Sequence, residues 1–260
     1  MGTFYFKEFS LKNERSAMKV NTDAILLAAW SSLPNPSTKG GVRVLDVGSG
    51  TGVIALIIAQ RVATTTKNFS VEGIDIDYHS FSESALNFSN SPWSKSMQAH
   101  HLSLQSMANE EGSGSYNLII SNPPYFTRSL KGGSKAKREA RHNDTLPLES
   151  LLTISNTLLE PGGILTLILP TVEAERVLNL LNTTSLKYCK ESGTGLSLVR
   201  ECRVKSRESK FFFRSLLEIK KGEPHIVEHS TLSIGGRTGG FTKEYIDLVG
   251  NFYLHPLLEG

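Results

Sequence analysis

A chain of 260 residues with 39% apolar and 20% charged content can bury one large core, and its two cysteines are too few for a disulfide framework. No apolar run exceeds the seven residues from Val53 to Ala59, far short of the roughly 18 of a membrane span. The N-terminus M-G-T-F-Y-F-K-E-F has no basic segment leading into an apolar one. The expectation is a cytoplasmic protein with no membrane partner, in which Cys189 and Cys202 are buried, reduced thiols.

Net charge is +3, but it is unevenly spread. Arg128, Lys131, Lys135, Lys137, Arg138 and Arg141 meet one acid, Glu139, within 14 residues. From Arg200 to Lys221, eight basic residues meet three acids. Each block carries +5, so the rest of the chain is net negative. Such segregation suits a polyanionic partner; a solvated face with no partner is the plain alternative.

In chain order, Phe4 to Trp30 precedes a Pro34–Gly41 linker, and its apolar second half, Asp23 to Trp30, predicts a helix. Thr22 and Asp23 at its start suit either an N-cap or contact with a ligand's charged ends. Val42 to Val47 reads as a strand and Gly52 to Val62 as a helix. Val71 to Ile76, Met97 to Leu102, Tyr116 to Ser121 and Gly162 to Leu169 read as further strands. Ser80 to Ser91, Leu148 to Leu159 and Glu173 to Leu181 read as helices between or after them. Strand-like stretches near Leu186, Leu198 and Phe211 to Ile219 follow, with Phe211-Phe212-Phe213 read as a core strand. Gly239 to Leu254 predicts a last amphipathic helix. Repeated βα units imply a parallel sheet covered by helices on both faces, and the late strands imply an antiparallel edge hairpin. The expected division is a 1–41 extension, hairpin plus helix, ahead of a 42–260 domain.

The first strand runs V-L-D-V-G-S-G-T-G-V-I-A. A strand, glycines and then a helix allow close backbone approach to a ligand at a helix N-terminus. Gly48, Gly50 and Gly52 are spaced G-x-G-x-G, not the dinucleotide G-x-G-x-x-G, and Ile54 and Ala55 exclude a P-loop. Asp46 puts a carboxylate beside the loop, which favours a ligand with a cationic amino-acid tail over a pyrophosphate. Asp75, 27 residues after Gly48, ends the second strand where an acid can hold ribose hydroxyls. The fourth strand counted from this loop stops at Asn122-Pro123-Pro124-Tyr125. Proline cannot continue a central strand, but a simple turn explains neither the second proline nor the aromatic.

Together these stretches resemble the Rossmann-like, S-adenosylmethionine-dependent methyltransferases, from about Val42 to Lys221. The resemblance implies a mostly parallel seven-stranded sheet with an antiparallel edge hairpin, S-adenosylmethionine as cofactor and no metal. It implies that Asp46, the three glycines and Asp75 bind the cofactor. It also implies that Asn122, Pro123 and Tyr125 act on a planar amide or exocyclic amino nitrogen: two carbonyls accept its N–H bonds and the aromatic ring stacks on the target. Residues 17 to 30, Ser91 to Trp93 and Y-I-D-L-V-G-N-F-Y-L near the C-terminus narrow the resemblance to bacterial methyltransferases of adenine 37 N6 in tRNA-Val. That family implies tRNA as partner; the charge of the Arg128–Arg141 block is expected to serve the RNA, and a monomer is expected, with the oligomeric state left open by the sequence. One departure is Ser103, standing where the family commonly has an acid near the cofactor's adenine. The alternatives are a protein glutamine methyltransferase acting on release factors, an rRNA guanine N2-methyltransferase, and a non-catalytic RNA-binding protein.

Overall fold

The computed structural model describes residues 2–35, 40–124, 146–183, 186, 189 and 195–258. A short antiparallel hairpin, β1 (Thr3–Tyr5) and β2 (Ser10–Lys12), leads into helix α1 (Thr22–Trp30). Strands and helices then alternate: β3 (Val42–Val47), α2 (Val53–Ala63), β4 (Phe69–Ile74), α3 (Tyr78–Ser89), β5 (Met97–His100), α4 (Leu104–Glu111) and β6 (Tyr116–Ser121). The second half adds α5 (Leu148–Leu158), β7 (Leu159–Pro170), α6 (Thr171–Thr183), β8 (Leu196–Arg207), β9 (Phe212–Lys221), β10 (Glu228–Gly235) and α7 (Lys243–Val249).

Eight strands form one sheet in the order β10-β8-β9-β7-β6-β3-β4-β5, parallel at every pairing except the two made by β9. The expected α/β arrangement is therefore present, with the β8–β9 hairpin beside β7. β10 is an additional strand outside the hairpin. Its sequence, E-H-S-T-L-S-I-G, buries Leu232 and Gly235 and leaves its first four residues exposed, so it carries little apolar signal.

Central strands are buried on both faces, and their two-residue period divides the core. Val42, Val44, Leu118 and Ile120 face the side covered by α1 and α2. Leu45, Val47 and Ile119 face the side covered by α4, α5 and α6, joined by Tyr116 across a register irregularity before Leu118. Helix α1 buries every residue from Ala24 to Trp30, so it belongs to the core instead of lying on it. Asn21 caps it by accepting the Ala24 N–H at 2.9 Å. At its other end Arg61 donates to the Ala28 and Ser31 carbonyls at 2.5 and 2.7 Å.

Part of the second basic block is structural. Arg200 lies over the Trp30 ring at 4.0 Å and pairs with buried Glu218 at 3.2 Å, while Glu218 also accepts from Ser32. Arg214 pairs with Asp23 at 2.7 Å, tying the start of β9 to α1.

Four expectations need correction. Cys202 is buried within β8, but Cys189 is exposed. Leu186 sits in a turn, not a strand. The last helix is confined to Lys243–Val249, since Thr242 caps it and the Gly239 and Gly240 backbone is left-handed. Phe212 and Phe213 are partly buried in β9, but Phe211 is 94% exposed at the hairpin tip.

Candidate active site

Chain order turns back between β3 and β6: the chain runs outward through β4 and β5, then returns to the other side of β3. Ligands of open α/β sheets bind at such a switch, outside the carboxyl ends of the strands. Here a cavity of about 320 Å³ opens there. Its walls are the glycine loop, Asp75 after β4, Leu102–Gln105 after β5, Asn122–Pro124 after β6 and an N-terminal strap, residues 16–19.

The loop is held by the sheet. Gly48 and Ser49 donate their N–H groups to the Ile74 carbonyl at 2.9 and 3.0 Å, and Gly50 donates to Asp75 Oδ2 at 2.9 Å. All three loop glycines have positive φ. A Cβ on Gly48 would meet nothing within 4 Å, whereas one on Gly52 would lie 2.5 Å from the Phe88 ring. Gly48 thus opens toward a ligand, and Gly52 lets α2 close against α3.

Asp46 is fully buried; one oxygen accepts the Ser49 hydroxyl at 2.8 Å and Oδ1 has no partner among the described residues. Burial pushes its carboxyl up to about 7, against the Ser49 and Ala55 donors that favour ionisation. Asp75 is also raised by burial, opposed by the Asp77 and Gly50 N–H groups.

Of the sequence-predicted residues, Gly48, Gly50, Asp75, Ser103, Asn122 and Pro123 line the cavity. Ser103 also caps α4 by accepting the Ser106 N–H at 3.1 Å. Asp46 and Gly52 lie behind the loop, outside the lining. Thr22 and Asp23 are not in the lining either: Asn21 is the cap, and Asp23 is engaged by Arg214. Tyr125 and the block of Arg128, Lys131, Lys135, Lys137, Arg138 and Arg141 lie outside the described residues.

The end of β6 is fixed by the Ser121 hydroxyl, which donates to the Val47 carbonyl at 2.7 Å. Asn122 follows, buried, with its amide nitrogen 3.8 Å from Met18 Sδ. That strap was missed in the sequence. Glu83 on α3 accepts the N–H groups of Glu14, Arg15 and Ser16 at 2.6–2.8 Å, and Asn87 bonds both Lys12 and the Thr51 carbonyl. The available signal was Ser80, Glu83, Ser84 and Asn87, polar at helical spacing. It reads as a solvated face, yet all four are buried, Ser80 and Glu83 against the Glu14–Ser16 segment.

Fold and site together define a Rossmann-like methyltransferase. A predicted O-methyltransferase from Agrobacterium tumefaciens superposes with a TM-score of 0.62 at 16% identity, over 90% of this chain and 98% of its own. Pyrococcus horikoshii TYW2, solved with MeSAdo, gives a TM-score of 0.55 at 14% identity, over 85% and 70% of the two chains. The family model "Methyltransferase small domain" matches residues 16–183, starting at the strap. A protein of Flavobacterium psychrophilum named tRNA1(Val) (adenine(37)-N6)-methyltransferase is 35% identical over 96% of this chain and 99% of its own. One of the same name from Pseudoalteromonas translucida is 34% identical over 98% and 99%. The chain belongs to this tRNA1(Val) (adenine(37)-N6)-methyltransferase family, within the small-domain methyltransferases. Among the described residues no helix is long and apolar enough to cross a membrane.

Proposed function

We propose that the chain methylates the exocyclic N6 of adenine 37 in tRNA-Val, using S-adenosylmethionine. The observation that carries this is the juxtaposition of Asn122–Pro123 with the glycine loop and Asp75 around one cavity, in a chain related end to end to proteins named for that reaction. The cavity fits the cofactor: Gly48 leaves open space for close backbone approach, and Asp75 offers a carboxylate for hydroxyls. Bound there, S-adenosylmethionine supplies an electrophilic methyl group.

The chain's own task is to make a weak nucleophile attack. An exocyclic amino nitrogen delocalises its lone pair into the ring. The Asn122 side-chain carbonyl and the Pro123 backbone carbonyl accept its two N–H bonds and draw it toward tetrahedral geometry, with the lone pair aimed at the methyl. Holding both groups in line supplies much of the remaining acceleration. No strong base is needed, because the nitrogen becomes acidic once methylated and loses its proton to water. Tyr125 stacks on the extruded base, and the Arg128–Arg141 block binds phosphates.

The deciding experiment incubates the protein with labelled S-adenosylmethionine and either bulk bacterial tRNA or release factors. Label is expected in tRNA adenine. Label in a release-factor glutamine instead, with none in tRNA, overturns the reading.

Asp46 adds a pH signature. Its folded pKa lies above the ordinary carboxylate value, so it withdraws stability from the unliganded chain as pH rises toward 7. A cationic ligand tail on the cavity side of the glycine loop favours the ionised form of this carboxyl behind it. Calorimetric affinity for the cofactor is therefore expected to rise with pH and level off above about 7, and Asp46→Asn should weaken binding and flatten the curve. An unchanged profile in that variant would remove Asp46 from the cofactor site.

A further inference from the structure

The β8–β9 hairpin runs past the edge of the sheet at the catalytic end. Arg214 pairs with Pro170, the last residue of β7, and Val204 pairs with Arg214, yet β8 continues to Arg207. Three more residues at about 3.3 Å each carry the turn roughly 10 Å beyond β7. β7 is parallel to β6, with Leu167 beside Ser121, so Asn122–Pro124 leave β6 at the same end. β9 stands two strands from β6, a lateral distance of about 10 Å. The tip therefore flanks the mouth of the active site.

Its surface is basic and aromatic. Arg203 and Lys205 both lie over the Phe212 ring, at 4.6 and 4.7 Å, a pairing of like charges on one phenyl. Arg207 and Lys210 are exposed at the turn, which the Lys210 N–H closes on the Arg207 carbonyl at 2.9 Å. None of these four forms an ion pair with a described residue, while nearby Glu208 is paired with Arg237. Phe211, 94% exposed, stands among them. Arg214, held by Asp23, anchors the base of the hairpin to α1. Cations alone suit any polyanion; cations around a bare ring, on a prong beside a base-modifying site, suit single-stranded nucleic acid.

We propose that this tip is a second RNA-binding surface, where Arg203, Lys205, Arg207 and Lys210 hold the phosphate backbone and Phe211 stacks on an unpaired base near the target nucleotide. It rests on the tRNA reading above and adds a contact independent of the Arg128–Arg141 block.

The test measures tRNA binding by anisotropy across a salt series, with the whole chain. Arg207→Ala/Lys210→Ala is expected to weaken binding and reduce the slope of log K against log salt by about 1.4, two lost phosphate contacts on a single strand. Phe211→Ala should weaken binding on the order of tenfold with the slope unchanged. Both should raise KM for tRNA more than they lower kcat, and both should keep wild-type melting and cofactor affinity, since all three side chains are exposed. Wild-type affinity and slope in both variants, while the parent protein methylates tRNA, would overturn the proposal. A parent that does not act on tRNA would instead bring down the reading beneath it.

Discussion

Asn122→Ala is expected to lower methyl transfer by about a hundredfold to a thousandfold while cofactor affinity stays nearly unchanged. The magnitude is that of removing one preorganised hydrogen-bonding group aimed at the changing charge of a transition state. Asn122 sits at the end of β6, where the Ser121–Val47 bond fixes the strand against the start of the glycine loop. The glycine loop is held to Asp75 by the Gly50 N–H and to the sheet by the Ile74 carbonyl, bonds in which Asn122 takes no part. Asn122→Asp, which keeps an acceptor of the same shape, should lose less than Asn122→Ala. Single-turnover rates and calorimetry on the same samples decide the matter. Equal loss of rate and cofactor affinity would make Asn122 a support of the cavity instead of a group acting on the acceptor.

Much of this arrangement was legible because its signals are local. The glycine loop, Asp75 and the Asn-Pro-Pro ending each follow a strand within a few residues, and the strands they follow are short, apolar and buried on both faces. Asp46 and Gly52 were legible as neighbours of the loop, but not their separation from the cavity wall, which depends on Ser49 and Phe88 packing behind it. The β10 strand was not legible, because an edge strand with four exposed residues shows almost no apolar pattern. Phe211-Phe212-Phe213 failed as a core strand for a topological reason: apolar residues are buried only where something covers them, and the hairpin outruns β7 at Phe211. The pairing of Asp23 with Arg214 was not legible because the two residues are 191 apart in the chain. The strap failed for the same reason: Glu83 lies 67 to 69 residues beyond the N–H groups that it accepts.

That strap carries the second large effect. One carboxylate oxygen of Glu83 accepts the N–H groups of Glu14 and Arg15, and the other accepts that of Ser16, so a single side chain satisfies three successive donors of a segment with no regular structure of its own. Burial alone would raise the Glu83 carboxyl, but these donors, with Lys19 nearby, outweigh it and hold it below its ordinary value. Hydrogen bonds to a charged group are each worth about 1.5–3 kcal/mol, and they share one acceptor here, so Glu83→Ala is expected to cost about 3 kcal/mol. Ser16 and Met18 line the cavity, and Ser16 Oγ bonds the Met18 carbonyl at 3.1 Å, so release of the strap also removes one wall of the ligand site. Cofactor affinity should fall by more than tenfold, and Glu83→Gln, which keeps one acceptor oxygen, should lose less of both. Because the folded pKa is depressed, the contribution is fully present above the ordinary carboxylate pKa and disappears as pH falls through the folded value. Melting curves of parent and Glu83→Gln should therefore converge in acid and separate toward neutral pH. If Glu83→Ala lost its stability but bound the cofactor as tightly as the parent, the strap would be a fastening of the N-terminus and no part of the site.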